Sequence, residues 1–123
     1  MTLRNELQLV WDCYLDAYRK GDALGCAAVF SPDALLTSPY GPPARGQEAI
    51  KAVHKEWTSD GGENKQLEII EYGGSGDLAW CLAKFSEGAE TGEGVSLNVL
   101  ERQPDGQWLI KICSLNDVDL SLG

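Results

Sequence analysis

The sequence predicts an α+β fold in which helices cover one face of a curved, mostly antiparallel β-sheet. The first half of the chain carries three segments with the apolar spacing of amphipathic helices, and the second half carries four alternating apolar runs in succession. A sheet that curves around helices leaves a hollow, and hollows in small proteins commonly bind small molecules.

The first two helices are delimited by capping residues. Apolar residues recur every three or four positions from Leu3 to Tyr18, which predicts a long helix that Thr2 caps. Gly21 is suited to end this helix in the left-handed conformation, and Asp22 to begin a short second helix that stops at Ser31-Pro32.

A short strand, a loop and a third helix complete the first half. Residues Ala34 to Ser38 predict the strand, and the three prolines between Ser38 and Gly46 predict a stiff loop. The third helix is expected from Gln47 to Thr58.

The second half predicts four strands joined by short turns, which pair antiparallel. The turns are expected at 73–77, 88–94 and 104–106, where glycine, proline and aspartate cluster. The predicted strands are Leu67 to Tyr72, Leu78 to Phe85, Val95 to Gln103 and Trp108 to Asp117.

The 123 residues match one domain of ordinary size, spanning 1–123. Its 19 acidic against 10 basic side chains give a net charge of −9, so we expect binding neither to nucleic acid nor to membranes. No long apolar run or targeting segment is visible, and we expect a cytoplasmic protein.

The four cysteines, Cys13, Cys26, Cys81 and Cys113, form no C-x-x-C pair and each lies in an apolar pattern. We therefore expect buried, reduced thiols, with no metal site and no cofactor.

Several blocks of the chain resemble the NTF2-like superfamily, and within it the SnoaL-like and DUF4440-type branch. The blocks are Tyr14 to Asp22, Phe30 to Ala34, Arg45 to Ile50, Leu97 to Arg102, Asp105 to Trp108 and Asn116-Asp117. The resemblance implies a cone of three N-terminal helices against a strongly curved mixed sheet, and a homodimer formed through the open sheet face. It does not fix the function, because this superfamily includes both enzymes and non-catalytic modules.

The resemblance also allows a comparison with ketosteroid isomerases, which use a carboxylate base and two hydrogen-bond donors. Aligned by these blocks, the donors fall on Tyr14 and Asn98, and the base falls on Ser38. A serine hydroxyl is a poor base at neutral pH, so this mechanism is disfavoured. The alternatives are a core role for Tyr14 and an outward-facing position for Asn98.

His54 is the only histidine, and it borders the apolar stripe of the third helix. It is the default acid–base candidate because imidazole titrates near neutrality. The alternative is a partly exposed histidine on the helix surface.

Further residues are candidates for the pocket wall. Lys84 and Lys111 interrupt apolar strands, so they either meet a ligand or pair with Glu68 or Glu101 on the sheet surface. Tyr40, in the proline-rich segment, is expected to cover the pocket mouth. The other candidates are Tyr18, Trp57, Trp80, Cys113 and Leu115.

Two functions remain open at this point. The first is a small-molecule-binding protein with an apolar pocket, taking a small apolar or weakly polar ligand, with cofactor-independent isomerase, cyclase or dehydratase chemistry on a carbonyl or hydroxyl compound as its catalytic form. The second is a non-catalytic NTF2-like module for dimerisation or attachment to another protein.

Overall fold

The computed structural model describes residues 2–59, 61–86 and 93–117. The predicted α+β class is confirmed, with three helices and six strands in these ranges. In chain order the elements are α1 (Leu3–Arg19), α2 (Ala23–Ala28), β1 (Phe30–Ser38), β2 (Gly41–Arg45), α3 (Gln47–Trp57), β3 (Gln66–Ser75), β4 (Leu78–Ser86), β5 (Gly94–Arg102) and β6 (Trp108–Asp117).

The predicted starts of α1 and α2 are confirmed by their caps, whereas the predicted end of α2 at Ser31-Pro32 is wrong: α2 ends at Ala28, and Ser31 and Pro32 belong to β1. The Thr2 side chain accepts from the backbone N–H of Asn5 and begins α1, and Gly21 follows the helix with a φ of 72°. The Asp22 side chain accepts from the backbone N–H of Gly25 and begins α2.

The six strands form one mixed sheet in the order β2-β1-β6-β5-β4-β3. All neighbours pair antiparallel except β1 and β6, which are parallel. The first strand of the sequence therefore reaches the rest of the sheet only through the last one.

The loop predicted between Ser38 and Gly46 is wrong, because Gly41–Arg45 forms strand β2. This strand lies at the edge of the sheet, where one side of the backbone makes no ladder hydrogen bonds and proline is tolerated. Its residues pair with β1, and Gly46 follows with a φ of 88° to start α3. A positive φ at this position requires glycine.

Two other strand boundaries differ from the prediction. Strand β1 begins at Phe30 rather than Ala34, and Gly73–Ser75 belongs to β3 instead of the following turn. Gly73 lies opposite Trp80, and a Cβ at Gly73 would lie 2.7 Å from the indole nitrogen. Strand β3 continues through Gly73 because glycine has no Cβ to collide with the indole of Trp80. The connection predicted at 88–94 falls mostly outside the described residues.

The core lies between the helices and the inner face of the sheet. On β4 the inner residues are the buried Ala79, Cys81, Ala83 and Phe85, which alternate with more exposed outer residues. The prediction of buried, free cysteines holds for three of the four, whereas Cys13 is exposed on α1. None of the described helices is long and apolar enough to span a membrane.

Candidate functional site

A narrow cavity lies inside the cone, between the helices and the inner face of the sheet. Its volume of about 20 Å³ has room for about one water molecule. The cavity wall is formed by Trp11, Tyr14, Phe30, Leu36, His54, Trp57, Lys65, Leu67, Phe85, Ser96, Cys113 and Leu115.

Tyr14 of α1 and His54 of α3 meet at this cavity. The Tyr14 hydroxyl lies 2.8 Å from Nε2 of His54, and Nδ1 of His54 lies 2.8 Å from the Ile50 carbonyl oxygen. A carbonyl oxygen only accepts, so Nδ1 carries the proton of the neutral ring and Nε2 accepts from the tyrosine hydroxyl. This assignment directs the Tyr14 proton toward His54 rather than into the cavity.

His54 is fully buried, which contradicts the alternative of a partly exposed surface histidine. Burial lowers the pKa of His54 from 6.5 to about 4, the Ile50 hydrogen bond opposes this shift, and the positive charge of Lys65 adds to it. The imidazole is therefore neutral at pH 7, and it is a weak base there.

Asn98 is buried behind the cavity wall rather than on the exposed face of the sheet. Its Nδ2 donates to the Ser96 hydroxyl at 3.0 Å and to the Cys81 carbonyl at 3.2 Å. Its Oδ1 has no hydrogen-bond partner among the described residues, although it is buried. Asn98 thus orients Ser96, and Ser96 is the residue of this pair that reaches the cavity.

Lys65 supplies a positive charge at the cavity, between α3 and β3. Its ammonium nitrogen lies 4.6 Å from the ring centre of Tyr18 and 4.8 Å from that of Phe85. The Arg19 guanidinium donates to the Lys65 carbonyl at 2.8 and 3.0 Å and so fixes this backbone segment.

The other candidates on this side of the sheet lie at different depths. Trp57, Cys113 and Leu115 line the cavity together with Tyr14 and His54. The wall does not include Tyr18, Tyr40 or Ser38. Tyr18 packs behind it, with its ring centre 5.7 Å from that of Tyr14. The exposed Tyr40 ring contacts Trp57 edge-on, and the Tyr40 backbone N–H donates to the Ser38 hydroxyl.

The expectation that Trp80, Lys84 and Lys111 line the pocket is wrong. Trp80 and Lys84 occupy the exposed positions of β4, and the Lys84 ammonium lies 3.6 Å from the carboxylate of Glu93. Lys111 lies where the β5–β6 register shifts, and its ammonium is 3.7 Å from the Glu101 carboxylate. Lys111 therefore pairs with Glu101 on the sheet surface, which was the alternative expectation.

Two polar wall residues were not predicted. The two-residue period of β5 places Ser96 on the same face as Asn98, so the sequence contained a usable signal for Ser96. The sequence contained no such signal for Lys65, because Lys65 lies among the polar residues Glu63, Asn64 and Gln66. Within 2–59, 61–86 and 93–117, no three His, Cys, Asp or Glu side chains cluster as metal ligands.

Comparison with known families identifies the chain at the level of the domain. The model of the SnoaL-like domain matches residues 12–108. The chain belongs to the SnoaL-like domain family. The resemblance to the NTF2-like superfamily is thereby confirmed, whereas no curated protein matches the sequence.

Solved structures agree on the fold of this SnoaL-like chain. A domain of unknown function with a cystatin-like fold from Nostoc punctiforme superposes with a TM-score of 0.79 at 21% identity, over 99% of this chain and 83% of that one. A ketosteroid isomerase-like protein from Erwinia carotovora gives 0.73 at 18%, over 91% and 93%. ActVI-ORFA from Streptomyces coelicolor gives 0.71 at 19%, over 94% and 98%. At these identities the similarity concerns the fold alone.

Proposed function

We propose that this SnoaL-like protein binds a small organic molecule inside the cone, and that it recognises a carbonyl or hydroxyl oxygen of that molecule. The observation that carries the proposal is the buried polar wall formed by Tyr14, His54 and Ser96 within an otherwise apolar interior. Tyr14 and His54 satisfy each other, whereas the Ser96 hydroxyl keeps a proton to donate, and an apolar interior with such a polar group at its cavity supports a binding role.

The hydrogen bonds of the wall determine which ligand group fits. The Ser96 hydroxyl accepts from Asn98, so its own proton is available to a ligand oxygen. Asn98 Oδ1 also has no partner among the described residues, but it is buried behind the wall, so Ser96 is the residue of this pair that meets the ligand. The oxygen of a ketone or of an alcohol can accept the Ser96 proton.

Anything larger than water requires the wall to move. Trp57, Leu67 and Leu115 are only half-buried, so they are among the less enclosed side chains of the wall. Rearrangement of side chains on binding is common, so a narrow cavity in the absence of ligand is compatible with a binding site.

The same geometry supports binding rather than rapid proton abstraction. No carboxylate belongs to the described cavity wall, and His54 with a pKa of about 4 holds a proton weakly at neutral pH. Tyr14 directs its proton to His54, so it does not serve as an oxyanion donor in this arrangement. Isomerase, cyclase or dehydratase activity therefore has less support than binding.

The test uses three ligands with one carbon skeleton: indane, indanone and indanol. We expect the oxygenated compounds to raise the melting temperature more than indane, because only they can bond with Ser96. In Ser96→Ala this difference should disappear, while Ser114→Ala, a matched change on the same sheet, should behave as the wild type. Equal shifts by all three compounds, or an unchanged response of Ser96→Ala, would contradict the proposal.

A specific observation favours a second function, homodimerisation through the outer sheet face. Four large apolar side chains of an outer patch, Leu78, Trp80, Leu97 and Ile112, are each at least 40% exposed. Trp80 and Ile112 flank Val99 across three neighbouring strands, so the patch is continuous. Exposed apolar patches of this kind mark interaction surfaces.

Sedimentation velocity tests the dimer. We expect the wild type to sediment as a dimer and Trp80→Lys as a monomer. Leu24→Lys, which changes an exposed leucine on α2 outside the patch, should leave the dimer intact. A monomeric wild type would refute this second function without affecting the first. The cytoplasmic location stays a prediction.

A further inference from the structure

A second, larger concavity lies outside the cone, between α1, α2 and the start of β6. This groove has a volume of about 760 Å³, within the range of small-molecule sites. Its apolar wall is formed mainly by Leu9, Val10, Val29, Trp108 and Leu109, with Cys13 beside them. It shares no residue with the interior cavity, because the two sites use different faces of α1.

The charged residues of the groove are already engaged. Lys20 pairs with Asp16 at 3.0 Å, and Glu6 lies 3.6 Å from the guanidinium of Arg102. The Asp22 carboxylate accepts the capping hydrogen bond at the start of α2. A charged ligand would have to compete with these contacts, so the groove is better suited to an uncharged molecule.

One polar group of the groove residues is unpaired. Trp108 is 5% exposed, and its Nε1–H has no hydrogen-bond partner in the part of the chain that the structure describes, although it is buried. Indole nitrogen only donates, so the group that satisfies it must be an acceptor. A ligand can reach this covered atom with the side-chain adjustment that commonly accompanies binding.

We propose that this groove is a second binding site for an uncharged aromatic molecule with a hydrogen-bond acceptor such as a ketone. The apolar wall holds the ring system, and Trp108 donates to the ketone oxygen. The proposal does not depend on the function proposed for the interior cavity, because the two sites have no residue in common.

Cys13 provides a local reporter for the site. It is the only exposed cysteine of the four, and Cys26, Cys81 and Cys113 are buried with raised pKa values because burial disfavours their thiolates. N-ethylmaleimide should therefore alkylate Cys13 alone in the folded protein. A molecule bound in the groove should slow this reaction.

The experiment uses prodan, an uncharged naphthyl ketone whose fluorescence reports transfer from water. We expect prodan to bind, to slow Cys13 alkylation about tenfold at saturation, and to lose most of its affinity in Cys13→Trp, where the added ring fills the groove. Trp108→Phe should weaken binding about fivefold by removing the donor. Leu24→Ala, which removes an exposed apolar side chain of α2 outside both sites, should bind as the wild type does.

Three results would overturn the proposal: no prodan binding, binding without protection of Cys13, or full affinity in Cys13→Trp. Retention of affinity in Trp108→Phe would overturn the assigned hydrogen bond. Melting curves of each variant identify any loss of affinity that is due to unfolding. A failure of these experiments leaves the indanone test of the interior cavity unaffected, so the two proposals are separable.

Discussion

Replacing His54 with glutamine should remove a defined part of the acid sensitivity of this protein. Burial lowers the pKa of His54 from 6.5 to about 4, so the unfolded chain binds a proton at this residue more readily than the folded protein. Acid therefore favours the unfolded state. This contribution is absent well above pH 6.5, grows as the pH falls toward 4, and levels off below that value.

The magnitude follows from the two pKa values. Relative to pH 7, protonation of this one group lowers the free energy of unfolding by about 1.2 kcal/mol near pH 5.5 and by about 2.4 kcal/mol near pH 4.5. Carboxylates titrate over part of the same range, but they are common to both proteins. The difference between wild type and His54→Gln therefore isolates the imidazole.

Urea unfolding followed by tryptophan fluorescence at a series of pH values measures this difference. Because the chain has one histidine, NMR titration of its ring proton gives the folded pKa directly. Parallel stability profiles of the two proteins down to pH 4.5, or an imidazole titrating near 6.5, would refute the assignment of a buried neutral ring.

Three further predictions concern single side chains. Tyr14→Phe leaves Nε2 of His54 without its donor and should lower the free energy of unfolding by about 1–2 kcal/mol in urea titration; an unchanged value would show that the bond contributes nothing. Gly46→Ala should lower the free energy of unfolding by about 1–2 kcal/mol, because the φ of Gly46 is 88°. Gly41→Ala should lower it less, because a Cβ at Gly41 meets no atom within 4 Å. Equal effects of the two substitutions in urea titration would argue against backbone strain at Gly46. N-ethylmaleimide should add one adduct per folded chain, at Cys13, by mass spectrometry; rapid addition of two or more would show that the buried thiols are accessible.

Local chemistry explains the features that the sequence predicted well. Asp22 caps α2 through a contact three residues away, and Gly21 ends α1 by its own backbone conformation. These capping interactions involve only residues that are close in sequence, so the sequence alone is enough to predict them. Strand β2 has no such signal, because its prolines are acceptable only at an edge and the edge is created by β1.

The candidate site was only partly predictable from the sequence. The two-residue period of a strand shows which side chains share a face, but it does not show which of the two faces lies against the helices. On β4, Trp80 and Leu82 are as apolar as Cys81 and Ala83, so composition did not identify the inner face. The register shift near Lys111 is likewise invisible in the sequence. Partners separated by 40 residues, such as Tyr14 and His54, are set by tertiary packing.

The parallel pairing of β1 with β6 has a consequence for synthesis on the ribosome. Strand β1 and its hairpin partner emerge early, but they join the other strands only through β6, which emerges last of the six. Until then the nascent chain exposes an unpaired strand edge, a condition that attracts chaperones and promotes aggregation. Slow translation past β5 would prolong this vulnerable interval rather than help the sheet to form.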